Sequence, residues 1–285
     1  MVNFLLRSVA IAAALTLATA ARADDGNPWS RVSHSSAGPA ASIGSAARGC
    51  LAGAATLPPD GPGYEVIRLS RGRYYGHPDT VDFVERLGQR AAASGLPVFY
   101  VGDMAQARGG PLPFGHASHQ TGLDVDIWFN FAPKTLLVPA AREQVDLPSM
   151  LLPSWRGIDR TRFGSAQVRL LRLATTAPRV ERIFVNPVIK AALCRAVAPA
   201  DRAWLHRLRP WFGHDDHFHV RLSCPADSPA CQDQAPIPPG DGCDATLATW
   251  VRDQHPPPPQ PQPLQVAHRP VPLLPAQCRA LLTAP

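Results

Sequence analysis

Five of the ten histidines lie in two short windows, His116 and His119 in the first and His214, His217 and His219 in the second, and Asp126 follows the first window closely. A fold that uses them together must place two distant segments side by side. Both windows adjoin alternating runs. Leu123 to Phe129 sets Asp124, Asp126 and Trp128 against Val125, Ile127 and Phe129, and His217 to Leu222 sets His217, His219 and Arg221 against Phe218, Val220 and Leu222. Each reads as a strand with one apolar and one polar face. Clustering of this kind, in a chain without histidine-rich low complexity, points to a metal. Two imidazoles and a carboxylate with one position left open form the tetrahedral zinc site of hydrolases, so His119, Asp126 and His219 are the expected Zn2+ ligands. His217 shares the face of His219 and is the expected proton-transfer group. His214 is a second catalytic candidate and His116 a candidate for metal or substrate contact; for each, the alternative is a supporting role that orients a ligand. Asp124 shares the face of Asp126, either behind a ligand or paired with an arginine.

Other catalytic schemes lack their residues. No His-Glu-x-x-His and no Gly-x-Ser-x-Gly occurs, which removes the helix-borne zinc peptidases and the nucleophile elbow. Ser118 stands between His116 and His119, but neighbours in sequence do not make a triad in space.

The chain opens with Arg7, an apolar run from Val9 to Ala20, and Ala21-Arg22-Ala23. A charged start, a short apolar stretch and a small-x-small site make residues 1–23 an expected signal peptide, with no stable membrane insertion after cleavage. Removing it takes Arg7 and Arg22 and lowers the formal charge from +6 to +4. The remaining cations are scattered arginines with only Lys134 and Lys190 besides, so nucleic acid is not an expected partner. An even set of six cysteines in an exported chain reads as three disulfides, whose connectivity spacing alone leaves open except for the close pair Cys224 and Cys231.

Residues 24–285 read as one domain without internal repeats. Residues 24–57 are rich in Ser, Gly, Ala and Pro and read as an irregular arm tied down by Cys50. A hairpin is expected around Tyr64–Leu69. A helix capped by Asp79 or Thr80 carries Val84, Leu87 and Ala91 on one face and ends at Gly95, before a buried strand from Pro97 to Asp103. A helix near Ser165–Thr176 and a strand at Arg182–Val185 follow, and Asn186 caps a further helix with Pro187 in its first turn. A short helix near Asp244–Arg252 precedes a Pro/Gln-rich tail, about 255–275, that suits extended polyproline conformation and is strapped back by Cys278.

The stretch from Phe114 to Ile127, with Gly115-His116-Ala117-Ser118-His119-Gln120-Thr121-Gly122-Leu123-Asp124-Val125-Asp126 inside it, resembles the first metal motif of the penicillin-insensitive murein endopeptidases. The stretch Arg209-Pro210-Trp211-Phe212-Gly213-His214-Asp215-Asp216-His217-Phe218-His219-Val220-Arg221-Leu222 is similar to the second. Further likenesses at Arg182–Pro187 and Pro238–Cys243 extend the resemblance over nearly the whole mature chain. It implies an α+β fold, a single compact domain with a central antiparallel sheet flanked by helices and long loops. It implies zinc on His119, Asp126 and His219 with His217 as the neighbouring catalytic histidine, and bridges Cys50–Cys278, Cys194–Cys243 and Cys224–Cys231. The implied substrate is the peptide cross-link of peptidoglycan, the D-alanyl to meso-diaminopimelyl bond, in the periplasm; a homodimer is left open. Related D-Ala-D-Ala carboxypeptidases carry a glutamate just before the last zinc histidine, where this chain has Asp215, Asp216 and histidines. That difference favours the endopeptidase over a carboxypeptidase or a non-catalytic murein- or zinc-binding protein. The segment from Pro133 to Phe163 and the Pro/Gln tail depart from the resemblance and lie outside both motifs.

Overall fold

The computed structural model describes residues 27–256 and 273–284. The expected signal peptide, and residues 257–272 of the expected tail, lie outside the described residues. In chain order the elements are β1 (Ala41–Ser45), β2 (Arg48–Ala52), β3 (Ala55–Thr56), β4 (Asp60–Gly61), β5 (Tyr64–Val66), β6 (Tyr75–Gly76), α1 (Pro78–Ala93), β7 (Phe99–Val101), β8 (Asp124–Phe131), α2 (Pro139–Arg142), α3 (Ser165–Thr175), β9 (Val180–Val185), α4 (Pro187–Ala196), β10 (Leu208–Pro210), β11 (His217–Leu222), α5 (Ala245–Arg252) and α6 (Ala276–Thr283). Seven strands form one sheet in the order β10-β9-β11-β8-β7-β5-β4.

The fold is α+β, and the sheet is mixed rather than purely antiparallel. Its centre, β9-β11-β8-β7, is antiparallel, whereas β5 pairs parallel to β7 and β9 parallel to β10. Each parallel pair is joined by a crossover containing a helix, α1 in one case and α4 in the other, as parallel geometry requires. The expected hairpin at Tyr64–Leu69 does not form. Tyr64–Val66 instead pairs with β4 on one side and β7 on the other, and the chain turns through a short 3-10 helix at Leu69–Arg71.

One face of the sheet makes the main core. Val125, Ile127, Phe129, Phe218, Val220 and Leu222 are all buried there with Val84, Leu87 and Ala91 of α1 and Leu170 and Leu171 of α3. Fully burying such a side chain stabilises the fold by about 1.5–3 kcal/mol, so alternation in β8 and β11 fixes which face turns inward. The opposite face of these two strands carries the polar residues. Register then matters: His217 stands opposite Trp128, His219 opposite Asp126 and Arg221 opposite Asp124. Helix α1 starts two or three residues earlier than Asp79 or Thr80 would set it, because His77 accepts from the Asp79 amide through its ring nitrogen and Pro78 occupies the first turn.

The segment expected as an irregular arm contains the hairpin β1–β2. Its strands are mostly Ala, Ser, Gly and Cys, with Ile43 and Leu51 the only large apolar residues, so they lack the apolar alternation that marks β8 and β11. Disulfides join Cys50 to Cys278, Cys194 to Cys243 and Cys224 to Cys231. The first ties β2 to α6 near the chain's end, where Arg108 also donates to the carbonyls of Leu281 and Ala284. The second pins α4 to the loop before α5. Bridges of this kind stabilise a fold by about 2–4 kcal/mol each. Among the described residues no helix is long and apolar enough to cross a membrane.

Candidate metal centre

Strands β8 and β11 present Asp126, His217 and His219 from adjacent positions, and the loop before β8 folds back over them with His116 and His119. His119 adopts a left-handed backbone, φ 68°, which is costly for a side chain with a Cβ. Its amide donates to Asp124 Oδ2 at 2.9 Å, which holds the loop in that turn. Gly122, φ 73°, is needed where the loop meets the strand: a Cβ there would lie 2.4 Å from Leu51 and 2.9 Å from the His77 amide. On the other side Asn186 caps α4 through the Val188 amide and donates from Nδ2 to the Gly213 carbonyl, so one residue positions both the helix and the His214 loop.

All five windowed histidines are brought together. Asp126 is the centre: His116 Nδ1 lies 3.3 Å and His119 Nε2 3.5 Å from its Oδ2, while His219 Nδ1 lies 3.2 Å and His217 Nε2 3.8 Å from its Oδ1. Among the described residues, His116, His119 and Asp126 offer potential ligand atoms that all lie within 4.8 Å of one another. His214 stands farther out, its ring 4.9 Å from that of His217 and 5.9 Å from that of His219.

Four of the imidazoles are anchored from behind. Asp124 holds His219 Nε2 at 3.0 Å and is itself held by the Arg221 guanidinium at 2.7 Å. Asp103 holds His116 Nε2 at 3.2 Å and accepts from Arg73 at 2.6 Å and from Arg71. Asp216 holds His217 Nδ1 at 2.6 Å, and the Phe212 carbonyl holds His214 Nδ1 at 3.0 Å. For His116, His217 and His219 the outer contact leaves the other ring nitrogen facing Asp126, which is how carboxylates orient metal-binding and proton-carrying histidines. Asp124 thus takes both roles considered for it, behind a histidine and paired with an arginine. Asp103 and its two arginines were not identified from sequence as part of the site; the one signal is an aspartate ending the otherwise apolar run Val98–Val101.

The centre accepts a cation. Both ring nitrogens of His119 and both oxygens of Asp126 are buried without a hydrogen-bond partner among the described residues, although imidazoles surround the carboxylate. Orphaned buried polar atoms are costly unless something satisfies them, and a metal ion taking nitrogen and oxygen donors suits this set. The electrostatics agree. Burial raises the Asp126 carboxyl, but His119, His116 and His217 outweigh it and hold it well below the usual range. Burial pulls His119 down to about 4, leaving it neutral as a ligand must be. His217 and His214 are pushed apart. Burial lowers His217, yet Asp126 and Asp216 more than compensate and raise it to about 9. Burial, with His217 and His219 beside it, drives His214 well below the ordinary histidine value. Their surroundings thus set these two neighbouring imidazoles apart.

His116, His214, His217 and His219 line a cleft of about 500 Å³ together with Phe184 and Trp211. Its rim carries the exposed rings of Trp211 and Phe212, with Trp250 packed against both.

The family model described as penicillin-insensitive murein endopeptidase matches residues 42–283. A penicillin-insensitive murein endopeptidase of Haemophilus influenzae is 45% identical over 262 residues, covering 90% of this chain and 88% of its own length. Those of Salmonella typhi and Salmonella heidelberg are each 44% identical over 255 residues, 90% of both chains. This chain belongs to the penicillin-insensitive murein endopeptidase family.

Proposed function

We propose that this protein is a zinc-dependent murein DD-endopeptidase that hydrolyses the D-alanyl to meso-diaminopimelyl cross-link of peptidoglycan in the periplasm, after export on a signal peptide cleaved behind Ala23. The observation that carries it is the buried, unsatisfied donor set of His119 and Asp126 directly behind His116, His217 and His219, which line an open cleft, in a chain whose relatives are named penicillin-insensitive murein endopeptidases.

His119, Asp126 and His219 hold the zinc. Their side chains are 0%, 0% and 5% exposed, whereas His116 is 22% exposed and faces the cleft, where substrate passes. His116 therefore contacts the substrate beside the ion. Bound zinc supplies an activated water at neutral pH and polarises the carbonyl under attack. The protein's own groups do the rest. His217, oriented by Asp216 through Nδ1, carries a proton on Nε2 and delivers it to the departing amine. His214, neutral and held by the Phe212 carbonyl, lies beside His217 and accepts contact from the substrate. Arg221 and Asp124 keep the His219 ring turned towards the site.

The test is incubation of purified sacculi with the zinc-loaded mature protein, followed by muropeptide analysis. Cross-linked dimers are expected to fall as monomers rise, with chelation abolishing the change and penicillin leaving it intact because no acylated serine takes part. Release of free D-alanine with dimers intact would replace this reading with a carboxypeptidase. Unchanged muropeptides from a zinc-bound protein would remove it.

A further inference from the structure

Arg68 is an arginine one ring away from His217 that the mechanism leaves idle. Its guanidinium lies 4.9 Å over the Trp128 ring, whose centre is 4.9 Å from the imidazole of His217. It is half-buried, and among the described residues it makes no ion pair. Its neighbours differ: Arg71 and Arg73 pair with Asp103, Arg142 with Asp60 and Glu65, and Arg221 with Asp124.

The carboxylates whose fields reach Arg68 are those of Asp103, Asp216 and Glu143. Each is engaged elsewhere. Asp103 is held by Arg71, Arg73 and His116, Asp216 by His217, and Glu143 by the amide and hydroxyl of Ser70. Arg68 also adopts a left-handed backbone, φ 55°, as His119 and His214 do. A partly desolvated guanidinium stacked on an indole, with two edges of donors unspent, is a receptor for a planar anion.

The reaction supplies one. In a D-alanyl to meso-diaminopimelyl cross-link, the carbon bearing the departing amine also bears a free carboxylate. Resting on the reading above, we propose that Arg68 binds this carboxylate and thereby sets the departing amine against His217. Arg68 is a positioning and specificity residue: it distinguishes a diaminopimelyl acceptor with a free carboxylate from one whose carboxyl is amidated or absent.

The experiment uses zinc-loaded protein and two soluble cross-linked muropeptide dimers, one with that carboxyl free and one with it amidated. The wild type is expected to show a KM lower by at least about tenfold for the free acid, the scale of one charge-assisted contact. In Arg68→Gln that preference disappears, with kcat on the amidated dimer within about twofold of wild type, which also reports that the variant is folded. Arg68→Lys, which keeps charge and loses the fork, retains part of the preference. A preference undiminished in Arg68→Gln, or no preference in the wild type, overturns the assignment while the endopeptidase reading stands. Failure of the wild type to cleave either dimer overturns both.

Discussion

Two buried polar centres in this protein are handled in opposite ways. At the candidate metal centre His119 and Asp126 are fully buried and, among the described residues, none of their side-chain nitrogens or oxygens has a hydrogen-bond partner. On α4, Lys190 is equally buried, and its Nζ donates to the carbonyls of Leu205 and Asp241 at 2.6 Å and of Leu208 at 2.8 Å. Burial pulls the Lys190 ammonium down to about 7, yet three acceptors match its three N–H groups. One centre is complete within the chain and joins the turn before β10 to the loop bridged by Cys194 and Cys243. The other leaves donors that a cation would satisfy. The difference between them separates a structural charge from a functional one more sharply than burial or pKa does.

The largest effect expected from breaking that contrast is at Asp126. Asp126→Asn removes the charge on which four imidazoles converge, so zinc measured by metal analysis falls to background and turnover on sacculi is lost. In the metal-free protein the substitution also removes the charge that His119, His116 and His217 hold ionised, so some folding free energy is lost as well, and urea unfolding of the apo form measures it.

His217→Ala sharpens the metal side of the comparison. Zinc content is retained and kcat falls by about 100- to 10,000-fold, the usual worth of a positioned proton-transfer group. Loss of zinc with His217 would make it a ligand instead. His116→Ala, read by the same metal analysis, keeps zinc and raises KM.

Lys190→Met reverses the pattern. Three carbonyls lose their donor together, and urea unfolding is expected to show a loss of about 3–5 kcal/mol. Zinc content and kcat per folded molecule stay as in the wild type.

The contrast also marks what the amino-acid sequence reveals. β8 and β11 are legible because strict alternation is forced where one face is buried, and the same alternation places Asp126 and His219 on one side. Asn186 and Pro187 announce the start of α4. Hairpin β1–β2 is not legible, since Ser, Gly and Ala strands carry no apolar period, and neither are the parallel pairings, which depend on where α1 and α4 return the chain. Nor does sequence foretell which polar groups end up satisfied. Lys190 looks like an ordinary solvated lysine, and Asp103 gives no hint of the histidine and two arginines it gathers from elsewhere in the chain.

The smallest effect tests the carboxylate just behind the candidate metal centre, which is neither orphaned nor free to bind zinc. Asp124 is fully engaged, by the His119 amide, His219 Nε2 and Arg221, and these cations hold it well below the usual carboxylate range against the pull of burial. Asp124→Asn leaves the ligand set intact but weakens the anchor that turns His219 Nδ1 to the ion. Competition with a chelator should therefore show zinc affinity lower by about 10- to 100-fold, with kcat recovering towards wild type at saturating zinc. Recovery separates an orienting carboxylate from a ligand, because no zinc concentration restores Asp126→Asn. If Asp124→Asn also stays inactive at saturating zinc, the carboxylate behind His219 takes part in the chemistry itself, and the boundary between the satisfied and unsatisfied halves of the site moves two residues back along β8.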